Sequence, residues 1–127
     1  MEDTGTCFAC GPLNPAGLKL AIRKTATGVE LDYVIPEKYE GWHGIVHGGI
    51  TATILDELLV WACSSRGIQV VTGELTVRFR QQLPTGSPVH GQGSIIAEHG
   101  RLIIAQSRLT DPAGAIIAEA TGKLMRV

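Results

Sequence analysis

No stretch of this sequence carries the roughly 18 uninterrupted apolar residues that a membrane-spanning helix needs. Asp56 and Glu57 break the longest candidate. The opening Met1-Glu2-Asp3-Thr4 lacks the basic-then-apolar order of a secretory signal. Cysteines are few, three in all, and an odd number does not build a disulfide scaffold. Excess charge of either sign is also missing, with a formal net of −1. At 44% apolar and 18% charged residues the chain is too apolar for intrinsic disorder. Its 127 residues suffice for one core. We therefore expect a single cytoplasmic domain over 1–127, with neither membrane nor nucleic acid as partner.

Charge is uneven along the chain. Residues 1–65 hold four Lys/Arg against eight Asp/Glu, a net −4, and residues 66–127 hold seven against four, a net +3. The second half is too weakly basic for a nucleic-acid footprint. It suits an ordinary solvated surface or a small phosphorylated ligand.

Periodicity divides the chain into elements. Leu18, Leu20 and Ile22 alternate with Lys19, Ala21 and Arg23, and Val29, Leu31, Tyr33 and Ile35 alternate with Glu30 and Asp32. With Thr25-Ala26-Thr27-Gly28 between them, the two runs predict a hairpin. After Gly48-Gly49, Ile50 to Ser65 contains neither Gly nor Pro and is apolar on most sides, which predicts a buried helix stopping near Gly67. Strand follows strand from Val70. Val71, Leu75, Val77 and Phe79 are expected on one face, with Thr72, Glu74, Thr76, Arg78 and Arg80 on the other. Val89 to Glu98 follows, its Gly91 and Gly93 leaving room beside Val89 and Ile95. His99-Gly100 and Asp111-Pro112-Ala113-Gly114 mark the last turns, and Ile116, Ala118, Ala120, Gly122 and Leu124 share a face. The order β-β-α-β-β-β-β leaves one helix to cover one apolar sheet face, so the sheet should wrap around it. Open edge strands then predict at least a dimer.

Chemistry concentrates at Gly44-Ile45-Val46-His47-Gly48-Gly49, continuing to Asp56-Glu57. Glycines at a helix start admit close approach, and the first amides there lack internal partners and carry the positive dipole end. Such a place stabilises an oxygen that gains negative charge, or merely lets the chain turn. Asp56 and Glu57 sit among apolar residues mid-helix, where an unpartnered carboxylate is costly. They point about 100° apart, and the residues alone do not say which faces a cleft. Asp56 lies about 12 Å along the axis from Gly48, so a second subunit's aspartate could come nearer that entrance than the chain's own. His47 could exchange protons or hold the turn by bonding to backbone. Cys7-Phe8-Ala9-Cys10 has zinc-like or redox spacing, but four ligands are not in view, and we expect a structural turn and no metal.

His47-Gly48-Gly49 with an acidic residue seven positions after Gly49 resembles the signature of the hotdog-fold thioesterases. It is most similar to the phenylacetate-pathway-like branch of the 4-hydroxybenzoyl-CoA thioesterase superfamily. Cys7-Phe8-Ala9-Cys10-Gly11-Pro12, Asn14-Pro15-Ala16-Gly17-Leu18, Pro84-Thr85-Gly86, Gly100-Arg101 and Thr110-Asp111-Pro112-Ala113-Gly114 extend the resemblance over nearly the whole chain. It implies an α+β hotdog fold, an antiparallel sheet wrapped around one long central helix. It also implies hydrolysis of acyl-CoA thioesters without metal or separate cofactor, coenzyme A being part of the substrate. Sites would be shared between subunits of a homodimer or homotetramer. By position, the Gly48 amide would polarise the carbonyl, and Asp56 rather than Glu57 would act as general base or nucleophile. Thr72 would help position water, and His47 and Gly49 would contact substrate. Arg78, Arg80 and Arg101 are candidates for the coenzyme A phosphates, as are Lys123 and Arg126. Some relatives carry Asn six residues before the motif's His, where this chain has Gly41, a departure that fits a variant mechanism or a weaker enzyme. The rival is a non-catalytic acyl-CoA or lipid-binding module. A hydratase of this fold would present a His–Asp pair on the helix, and Ile50–Ser65 contains no His.

Overall fold

A 17-residue helix, α1 (Gly48–Ser64), forms the axis of the structure. It is seen in a computed structural model that describes residues 1–127. Ile54, Leu55, Leu58 and Leu59 on α1 are fully buried. Each such side chain contributes about 1.5–3 kcal/mol on removal from water. The helix stops where expected. Gly67 takes a φ of +76°, its amide donates to Ser64 O, and Ile68 N donates to Cys63 O. The left-handed residue lets the chain turn back and satisfy the last carbonyls.

Around α1 wraps one six-stranded antiparallel sheet, ordered β1-β2-β4-β5-β6-β3. Its strands are β1 (Arg23–Lys24), β2 (Val29–Val34), β3 (Val70–Phe79), β4 (Pro88–His99), β5 (Leu102–Thr110) and β6 (Ile116–Arg126). The last three join by hairpins, and β3, next in the chain after α1, docks on the far side of β6. Both β1 and β3 are therefore edges. A short 3-10 turn at Glu37–Tyr39 leads toward the helix. Two buried clusters run along the helix, and Leu75 and Ile95 pack against both. No helix is long and apolar enough to cross a membrane.

Glycines set how closely helix and sheet approach. A Cβ at Gly93 would lie 2.5 Å from the Leu58 carbonyl oxygen, and one at Gly91 2.9 Å from Leu58 Cδ1. The room these two leave in β4 is filled by α1.

The structure corrects three local expectations. Leu18 to Ile22 is not a strand, and only Arg23 and Lys24 pair with β2. Lys19 adopts a φ of +56°, and the Leu18 and Leu20 amides donate to Phe8 O and Ala9 O instead. On β3 the register shifts between Thr72 and Glu74, with Gly73 as the extra residue. This bulge turns Val71 outward, 44% exposed, and places Thr72 opposite the buried Leu124 on the helix-facing side, not the face assigned from alternation. A second shift near Thr110 buries Ile117 in place of Ile116.

Candidate active site at the helix entrance

His47 closes the start of α1. Its Nδ1 accepts the Gly49 amide at 2.8 Å, and its carbonyl accepts Ile50 N at 2.9 Å and Thr51 N at 3.2 Å. The imidazole thus serves the turn, in the manner of an N-cap. This allocation separates the two glycines. Gly49 has its N–H bound to His47, whereas the Gly48 N–H finds no acceptor within the protein. Gly41 lies behind the same turn, where a Cβ would come 3.2 Å from His47 Cα. A larger residue there would push on the His47 backbone.

Gly48 opens onto a cleft of about 360 Å³, lined among others by Ile45, Val46, Thr51, Phe79 and Ile117. Phe79, 55% exposed at the end of edge strand β3, stands beside Gly48. Alternation could find Phe79 as a strand residue, but nothing local in sequence links it to a helix 31 positions earlier. The cleft therefore combines an unpaired amide at a positive helix end with apolar walls, an arrangement that can hold a carbonyl oxygen.

Asp56 and Glu57 go different ways. Asp56 Oδ1 accepts a hydrogen bond from Thr72 Oγ1 at 2.7 Å, both residues half-buried. The bulge at Gly73 makes this contact possible. Glu57 instead meets the Cys7–Cys10 turn, where Cys7 Sγ donates to its Oε1 at 3.8 Å. Burial, reinforced by Glu57, pushes the Cys10 thiol up to about 12. Buried Ser107, missed in the sequence, donates to Leu55 O at 2.8 Å, one residue before Asp56. Its signal was only a polar residue in an inward position of β5.

The arginines are dispersed. Arg80 borders the Gly48 cleft, but its guanidinium pairs with Glu119 at 2.5 Å. Arg78 is exposed, opposite Glu119 in register. Arg101 donates to Arg126 O at 3.4 Å, while Arg80 N bonds to Ile117 O at the other end of β6. Nine residues of strand separate those ends, about 30 Å. Within one chain, Arg101 does not join the cleft. Tyr39 and Trp61 are partly buried against the core, and Trp42 is 87% exposed.

An antiparallel sheet around one helix, with a glycine-led helix entrance and a half-buried aspartate two turns on, defines a class of small α+β domains. A family model described as the thioesterase superfamily matches residues 43–119. The chain belongs to that superfamily and has its hotdog fold. Among curated proteins no significant match is found. A solved thioesterase superfamily protein superposes with a TM-score of 0.85 at 25% identity, covering 91% of this chain. This chain spans 60% of that protein's length. The Escherichia coli PaaI protein from the phenylacetic acid degradation operon gives a TM-score of 0.80 at 18% identity, covering 87% of this chain and 80% of its own. A hypothetical thioesterase from Streptococcus pneumoniae, solved with coenzyme A, gives 0.79 at 17% identity, covering 85% of each chain. The last two likenesses concern fold alone.

Proposed function

We propose that this chain hydrolyses acyl-CoA thioesters. The observation that carries the reading is the unpaired Gly48 amide opening onto an apolar cleft in a thioesterase-superfamily chain. The thioester carbonyl oxygen would accept that N–H. Asp56 would take a proton from water as the water oxygen bonds to the carbonyl carbon. Charge on the resulting oxyanion is held at Gly48, where the helix end favours it. Collapse breaks the C–S bond, and coenzyme A leaves as the thiol with the proton returned by Asp56. Thr72 orients the carboxylate. Attack by Asp56 itself, giving a transient anhydride, is the other role its position allows.

One helix cannot bring both groups to one carbon, because eight residues put Asp56 about 12 Å along the axis from Gly48. The reading therefore requires a second copy to supply the aspartate. Edge strand β3 favours this, since it carries exposed Val71 and Phe79 beside Thr72 and Gly48. The Streptococcus pneumoniae thioesterase has also been solved with an aspartate and, separately, a threonine replaced by alanine. Those two positions are sixteen apart, the spacing of Asp56 and Thr72.

The test is thiol release over a panel of aryl, short-chain and medium-chain acyl-CoAs, with Asp56→Asn beside wild type. Loss of about 10²–10⁴ in turnover by a folded variant is expected. Unchanged kcat/KM would remove Asp56 from the mechanism. Binding without thiol release by wild type would point to a non-catalytic acyl-CoA module.

A further inference from the structure

The Cys7–Cys10 turn is not used by the cleft chemistry, and folding gives it a partner that spacing could not show. Cys7 Sγ, Cys10 Sγ and a Glu57 carboxylate oxygen all lie within 4.8 Å of one another. The Ala9 and Cys10 amides point at Cys7 Sγ at 3.4 and 3.5 Å, which fixes the position of that sulfur beside Glu57. No Lys, Arg or His forms an ion pair with Glu57. A mid-helix carboxylate thus has two thiols at hand and no cation to balance them.

The spacing suits a tetrahedral ion. With sulfur at about 2.3 Å and oxygen at about 2.1 Å from zinc, tetrahedral angles put S and O about 3.6 Å apart. The Cys7 Sγ to Glu57 Oε1 distance is 3.8 Å. Closing that difference needs only tenths of an ångström. Two thiolates and one carboxylate are borderline-soft donors, and zinc is the divalent ion such a set favours. We propose that Cys7, Cys10 and Glu57 bind one zinc ion, with the fourth position open to water. The ion clamps the N-terminal segment onto α1 at the residue next to Asp56. Each thiol surrenders its proton to solvent on binding, so affinity rises with pH.

The experiment uses the full chain, reduced and stripped with chelator, then titrated with cobalt(II) and zinc(II). The expected result is one cobalt per chain with a near-ultraviolet thiolate-to-cobalt charge-transfer band, bleached by equimolar zinc. The thermal midpoint should rise until one equivalent of zinc is added. Cys10→Ser and Glu57→Gln, checked for folding by circular dichroism, should each lose at least the roughly tenfold in zinc affinity that removing even an outer partner costs. Asp56→Asn should bind zinc as wild type does, so failure of the zinc site and failure of the hydrolytic reading are read separately. Absence of the charge-transfer band in the folded, reduced wild type overturns the proposal, as does unchanged zinc affinity in either ligand variant.

Discussion

The proposed oxyanion donor is a single backbone N–H, and proline can delete it. Gly48 is the first residue of α1, where proline is tolerated because that N–H has no helical acceptor in any case. His47 before it has φ −59° and ψ 130°, the extended conformation a following proline requires. A Cβ at position 48 would meet only the Phe79 ring, at 3.6 Å, an ordinary contact. Gly48→Pro should therefore fold, changing stability by less than about 1 kcal/mol, against about 3 kcal/mol for proline in a helix interior. Loss of one oxyanion donor typically removes about 10²–10³ from kcat, or about 2.7–4 kcal/mol of transition-state stabilisation. Gly48→Ala adds the same Cβ, keeps the N–H, and should retain kcat within about tenfold, or 1.4 kcal/mol. The assay is thiol release at saturating acyl-CoA, with circular dichroism and a melting curve for each variant. A folded Gly48→Pro chain with kcat within a few-fold of wild type refutes the assignment. Equal damage from Gly48→Ala would mean that space, not the amide, is what the site needs.

Thr72→Val keeps shape but deletes the donor to Asp56. A hydrogen bond to a charged group is worth about 1.5–3 kcal/mol, so kcat should fall about 10- to 100-fold, and Thr72→Ser should restore most of it; equal rates for Val and Thr would leave Thr72 no part in positioning. Gly93→Ala forces a Cβ to 2.5 Å from the Leu58 carbonyl oxygen, which only movement of α1 relieves. Chemical denaturation should show a loss of about 3 kcal/mol or more, and a loss below about 1 kcal/mol would mean that α1 is less tightly seated on β4. Hydrogen bonds from His90 first, then Arg23, hold the Asp32 carboxyl below its ordinary range. A depressed carboxylate stabilises the fold above its unfolded pKa of about 3.9, and that contribution disappears as pH falls through the folded value. His90→Gln should raise the Asp32 midpoint followed by NMR, and an unmoved midpoint would show that His90 is not the principal cause.

Local chemistry made the helix legible in the sequence. Gly48 and Gly67 bracket a largely apolar run free of internal Gly and Pro, and both ends fall within a residue or two of expectation. The turns at Gly100 and Gly114 were equally readable, because a left-handed φ there favours glycine. Leu18 and Leu20 alternate with exposed neighbours and are buried, yet they form no strand. Alternation reports which side chains are buried. It does not report which carbonyls the amides find, and here those belong to Phe8 and Ala9. Lys19 at positive φ was invisible for the same reason: nothing in its side chain announces a left-handed backbone.

The candidate site was harder because its contacts depend on one inserted residue. Strict alternation along β3 puts Thr72 opposite in sense to Leu75, facing away from α1, where no bond to Asp56 could form. Gly73 absorbs one position, so Thr72 and Leu75 both face the helix. A one-residue change of register exchanges the two faces of a strand, which makes the bulge a condition for the Thr72–Asp56 pair. The same logic explains why adjacent carboxylates are tolerated midway along so apolar a helix. Turned about 100° apart, they avoid each other's partners: Asp56 takes the β3 hydroxyl and Glu57 the Cys7 thiol. Deleting Gly73 places Thr72 directly before Glu74, so plain alternation then keeps Thr72 opposite Leu124 and facing α1, and its bond to Asp56 should survive. Turnover should therefore stay within about tenfold of wild type, and a fall as large as that of Thr72→Val would mean that the bulge itself, beyond the face it selects, positions the hydroxyl. Zinc affinity, which depends on Glu57 about 100° around α1 from Asp56, should not change.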